Sequence, residues 1–228
     1  FIFLISKPSS DNSNTSSKNI ETPTRESKIP SYAIKQTPEI DENSPVSLSD
    51  KYENPVPLSP VINTAGAEDS PFIPADNSNT LYFFFTPDVN IPAEKQLLDG
   101  VTGIYLSHKN GNDWTKPERI ILQDDKKLSL DGCEFVSGNT MLFCSAREGY
   151  TGINWFSAEL KDGKWQNWKE VQFQEDYQVG ELHITSDGKE LYYHSSRSGG
   201  KGGLDIWKLT KINDKWTNPE NVEEINSA

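Results

Sequence analysis

Gly180-Glu-Leu-His-Ile-Thr-Ser-Asp-Gly-Lys-Glu-Leu-Tyr-Tyr-His-Ser-Ser-Arg-Ser-Gly-Gly-Lys-Gly-Gly-Leu-Asp-Ile-Trp207, running on to Lys215-Trp-Thr-Asn-Pro-Glu-Asn-Val222, is the stretch whose reading decides the fold. Trp165 stands 51 residues before Trp216, and Trp114 a further 51 before that, so the chain repeats. Lys215-Trp216-Thr217-Asn218-Pro219 answers to Asp113-Trp114-Thr115-Lys116-Pro117 and to Lys164-Trp165-Gln166-Asn167-Trp168. Leu191-Tyr192-Tyr193-His194-Ser195-Ser196-Arg197 answers to Met141-Leu142-Phe143-Cys144-Ser145-Ala146-Arg147 and, more loosely, to Leu81-Tyr82-Phe83-Phe84-Phe85-Thr86. Each unit holds four short runs rich in aromatic and β-branched residues. Turns such as Ser137-Gly138-Asn139-Thr140 and Asp187-Gly188-Lys189-Glu190 separate them. A sustained 3.6-residue apolar period is absent from this half of the chain, which disfavours helices. The unit is therefore a four-stranded antiparallel meander, apolar on both faces, that must stack on copies of itself. The expected fold is an all-β propeller of four-stranded blades.

The turn and strand signals Ser186-Asp187-Gly188-Lys189-Glu190-Leu191-Tyr192-Tyr193, Ser196-Arg197-Ser198-Gly199-Gly200 and Gly202-Gly203-Leu204-Asp205-Ile206-Trp207 resemble the TolB-type, WD-repeat-like propeller family. The second unit departs from that pattern, with Ser137-Gly138-Asn139 in its turn and Asn154-Trp155-Phe156 where Asp-Ile-Trp stands, and the first is looser still. The resemblance covers roughly Ala67 to Ala228. It implies a propeller and a cell-envelope, periplasmic or extracytoplasmic setting. It does not imply an activity, because propellers host many unrelated ones.

Blades are expected over 66–122, 131–173 and 180–223. Lys51-Tyr52-Glu53-Asn54-Pro55, leading to Ile62-Asn63-Thr64-Ala65, parallels Lys215 to Pro219 leading to Ile225 to Ala228, so residues 51–65 are expected to be an outer strand donated to a blade. Three blades and one strand do not close a ring of about four to eight blades. The expectation is a fragment of a longer propeller, with closure by self-association as the other reading. Residues 7–50, dominated by Ser, Asn, Thr, Pro, Glu and Lys, read as a disordered linker. Residues 1–6, Phe-Ile-Phe-Leu-Ile-Ser, read as the remnant of a signal peptide or a membrane anchor, or else as a chance apolar hexamer. A tether to a membrane through the N-terminus would follow from the former.

With 34 acidic against 22 basic residues the chain carries a formal charge of −12, which argues against a nucleic-acid partner. The Gly-rich loop Ser198 to Gly203 lacks both the spacing and the following helix of a phosphate loop. No cofactor is expected, and no metal. Counting outward from Gly138-Asn139 places Cys133 opposite Cys144, which permits a disulfide in an oxidising compartment; inter-blade packing is the other reading of Cys144. The same count places His183 opposite His194, a pair that reads as core or edge rather than as a metal site.

Candidate chemistry gathers where each unit enters its innermost strand. Glu68, Asp69, Asp131, Arg147 and Arg197 are the expected binding rim, near an insertion at Thr86 to Gly103 that otherwise reads as a tolerated surface excursion; because Arg147 and Arg197 recur in two units, pairing with a neighbouring carboxylate is the other reading of both. The leading expectation is a non-catalytic module that binds a protein or glycan partner through its blade-loop face. The second is a carbohydrate-active hydrolase with an acidic funnel, in which Glu134 and Glu181 would be the acid and base. None of the sequence motifs for a nucleophile or a dinucleotide site is present.

Overall fold

The computed structural model describes residues 23–124, 127–171 and 179–228. The stub at 1–6, the linker as far as Thr22 and the connection at 172–178 lie outside the described residues.

Three antiparallel meanders carry the chain from Ala67 onward. The first sheet has β1 (Ala67–Phe72), β2 (Thr80–Thr86), β3 (Gly103–Asn110), β4 (Asp113–Trp114) and β5 (Glu118–Arg119). The second has β6 (Ser129–Ser137), β7 (Thr140–Arg147), β8 (Asn154–Lys161) and β9 (Lys164–Glu170). The third has β10 (Val179–Ile184), β11 (Glu190–Ser195), β12 (Asp205–Ile212), β13 (Lys215–Trp216) and β14 (Glu220–Asn221). The order within each is sequential, as in a propeller blade, and the fold is all-β.

Local chemistry explains the small differences. Pro117 and Pro219 cannot donate to a ladder, and each splits the fourth strand of its sheet into two short pieces that both pair with the third. In the second sheet Trp168 takes that position, and β9 runs on unbroken by proline, with one register shift. The hairpin between β8 and β9 turns on Asp162 and Gly163, both at positive φ (53° and 73°), and that between β12 and β13 on Asn213 and Asp214 (49° and 60°).

Two inter-sheet cores follow. Tyr82, Ile104 and Ile120 of the first sheet pack against Val136, Met141, Phe143, Phe156 and Trp165 of the second. The opposite face of the second sheet, with Phe135, Cys144 and Trp155, packs against Leu182, Leu191, Tyr193, Trp207 and Leu209 of the third. Phe143 and Tyr193 thus meet the preceding sheet, and their counterpart Phe83 has to find something else. It finds the N-terminal segment: Ile62, Val61 and Ile29 pack with Leu81, Phe83, Phe85, Val101 and Tyr105.

Two expectations are corrected here. Residues 51–65 form no strand and complete no blade; Ile62, 2% exposed, is instead a plug on the outer face of the first sheet. A short part of the linker, around Arg25 and Ile29, is also packed against the first sheet. Thr24 and Ser27 form a capping box that starts a one-turn helix, α1 (Arg25–Lys28), and Arg25 is 4% exposed. Its guanidinium lies 5.6, 5.2 and 5.9 Å from the ring centroids of Phe83, Phe85 and Tyr105 and donates to the Val61 and Ile62 carbonyls. A low-complexity composition hid one buried anchor. The 86–103 insertion holds a second short helix, α2 (Ala93–Gln96), and then dives inward, with Val101 and Thr102 each 1% exposed. Among the described residues no helix is long and apolar enough to cross a membrane.

Candidate functional site

Each innermost strand is interrupted at its middle. The β1 register shifts between Asp69 and Phe72, that of β6 between Gly132 and Phe135, and that of β10 between Val179 and Leu182. Ser70 and Cys133 sit in these bulges at φ 50° and 54°, a left-handed conformation that non-glycine residues rarely adopt. Such a bulge re-aims the side chains beside it. Phe72, Phe135 and His183, one ring from each sheet, converge at the axis with centroids 5.2, 5.4 and 6.4 Å apart. Three carboxyls, also one per sheet, lie near enough to act on one another: Asp69, Glu134 and Glu181.

Glu134 is the unusual member. It is 4% exposed, and no other residue hydrogen-bonds either carboxyl oxygen. Burial pushes its carboxyl well above the usual carboxylate range; its own backbone N–H works against that rise, and the charges of Glu181 and Asp69 add to it. Glu181 is also raised, mainly by desolvation and further by Asp69, although its side chain reaches solvent and accepts a 2.9 Å hydrogen bond from the Ser70 hydroxyl. The His194 ring lies against Gly180, where a Cβ would fall 1.9 Å from its Nε2, and its charge works in the opposite sense on Glu181. Among the described residues no lysine or arginine forms an ion pair with Asp69, Glu134 or Glu181. A buried acid that no other side chain pairs with costs free energy, and strongly perturbed carboxyls gather at functional sites.

The other expected rim residues are drawn inward. Asp131 and Arg147 form a buried pair at 2.8 Å, with Ser145 donating to the same carboxylate oxygen. The Arg147 guanidinium stacks over Trp168, Phe156 and Phe143 at 4.3, 4.8 and 5.1 Å. This pair is removed from the rim, because a charge inside a sheet stack is tolerable only when paired. Glu68 is the first-sheet counterpart of Asp131. It accepts from the Thr64 hydroxyl at 2.6 Å and lies 3.5 Å from Arg25. Arg197 is half-buried over Trp207 at 4.7 Å. Only Asp69 of the expected rim is exposed beside the axis, where Glu134 and Glu181 join it.

Cys133 and Cys144 are disulfide-bonded with Cα atoms 5.3 Å apart, although the bulge moves the pairing so that Gly132, not Cys133, stands opposite Cys144. The histidines are not opposite one another: His183 faces Tyr192 and His194 faces Ile206, because the loop from Thr185 to Glu190 is longer than a two-residue turn. Among the described residues no group of three or more His, Cys, Asp or Glu side chains is arranged to hold a metal ion. Ser70, Phe72 and Arg25 were not legible as site or anchor residues. A signal for Arg25 did exist, since Pro87 occupies the position of Arg147 and Arg197 in the first unit while the matching acid, Glu68, is kept.

Comparison with known proteins gives little. No protein-family model matches the chain, and no curated protein does. One solved structure, from a structural and mechanistic study of two prolyl endopeptidases, aligns over 82% of this chain at 12% identity with a TM-score of 0.33. The chain spans 31% of that protein's length.

Proposed function

We propose that this chain is a non-catalytic, extracytoplasmic binding module that receives a protein or glycan partner at the axial mouth between its three inner strands. The observation that carries this reading is Glu134, buried and with no other side chain paired to it, beside the exposed carboxyls of Asp69 and Glu181. The Cys133–Cys144 disulfide supports an oxidising compartment. The 86–103 insertion joins β2 to β3 at the end where β1 begins, the end from which Asp69 is approached.

A hydrolase reading has one observation in its favour: a carboxyl held neutral beside Glu181 and Asp69, the kind of division of labour that acid–base catalysis uses. The two readings separate in one experiment. The full chain is screened on glycan and peptide arrays as wild type, E134Q and E181Q. Binding that weakens in both variants, with bound material recovered intact, is the expected result. Binding untouched by either variant would remove the axial site from consideration. Cleavage lost in E134Q with binding retained would establish the hydrolase instead.

A further inference from the structure

Resting on that reading, we propose that the group entering the axial mouth is a primary ammonium, carried by a lysine side chain or an amino sugar. Three acceptors, one from each sheet, lie near one another; among the described residues no lysine or arginine pairs with them, and His194 is the one cation that acts on Glu181. They are not arranged to share a small metal ion. An ammonium on a flexible stem carries three diverging N–H donors and suits acceptors on three separate elements, whereas a planar guanidinium presents its fork to one carboxylate edge. The Phe72 and Phe135 rings beside the acids add aromatic faces, which attract a cation once it is desolvated. A molecule of net charge −12 draws cations toward it.

Binding is then coupled to a proton. Burial raises the Glu134 carboxyl, so wherever it is protonated before binding it gives its proton to the solvent and pairs with the ammonium as a carboxylate, and proton release accompanies amine binding. The titratable groups facing Glu134 are Asp69 on β1 and Glu181 on β10; His194 on β11 acts on Glu181. The first two bear the sign that an ammonium answers.

The test is calorimetric titration of the full chain at neutral pH, in phosphate and in Tris, with glucosamine against N-acetylglucosamine and with N-acetyl-lysine-amide against its ε-N-acetylated form. The expected result is that an amine binds at least about tenfold more tightly than its acetylated partner, about 1.4 kcal/mol. The apparent enthalpy should differ between the two buffers in the sense that proton release requires. Preference for the sugar amine or for the lysine amine identifies the source. E134Q should weaken binding and abolish the buffer difference. E181Q should weaken binding and keep the difference, so it carries the test if E134Q does not fold. Equal binding of amine and acetylated forms, or no binding of either amine, overturns the ammonium proposal. In either case array binding that is still lost in E134Q leaves the binding-module reading standing.

Discussion

Glu134 and Arg147 show how differently one fold treats two buried charged groups. Arg147 has its carboxylate, its hydroxyl and three rings, and removing it would strand Asp131 in the interior. R147A should cost about 3–5 kcal/mol, read from the urea midpoint, as for a broken buried pair. Glu134 has none of this support. Its carboxyl is raised on folding above the ordinary glutamate value of 4.5, so the folded chain holds the proton more tightly than the unfolded one. That contribution to stability is present below about pH 4.5 and is lost as pH rises towards the raised folded value. E134Q removes the term. Its urea midpoint should therefore gain on that of the wild type as pH rises above about 4.5; parallel curves would show that Glu134 ionises freely.

At the scale of elements, the repeat was readable because its signals are local. The Gly138-Asn139 turn and the Trp114, Trp165 and Trp216 spacing require only neighbouring residues, and the meanders follow. The bulges in β1, β6 and β10 were not readable, since a register shift is settled by what the strand packs against, and they decide where Asp69, Glu134 and Glu181 meet. The same shift explains why counting from the turn named the right cysteines for an inexact reason. Their bond closes a segment with a sequence separation of 11, worth about 2–3 kcal/mol on the chain-entropy argument. The C133S/C144S double variant should lose about that much in urea, and dithiothreitol should bring the wild type to the same midpoint. The N-terminal strap was misread because ordering there rests on one arginine and one isoleucine in a polar background. R25A should lower the urea midpoint and raise dye binding to exposed apolar surface, since it leaves Phe83, Phe85 and Tyr105 without their cover and Glu68 without its cation.

At the scale of the whole molecule, charge and open surface matter most. Screening shortens from about 30 Å at 0.01 M salt to about 8 Å at 0.15 M, so amine affinity at the axial mouth should fall across that range. The acetylated forms should show no such slope. The three sheets are also not equivalent. The first is sealed by the strap, the second lies between two neighbours, and among the described residues no fourth sheet covers the far side of the third. The seal sets an order in time. Arg25 leaves the ribosome long before Tyr105 exists, so it must wait in water while the surface it will cover is being translated, and closing it spans 37 residues even to its carbonyl partner at Ile62. The strap is thus made before the surface it covers and settles after it, and its amides should be the first to exchange with deuterium when the native protein breathes.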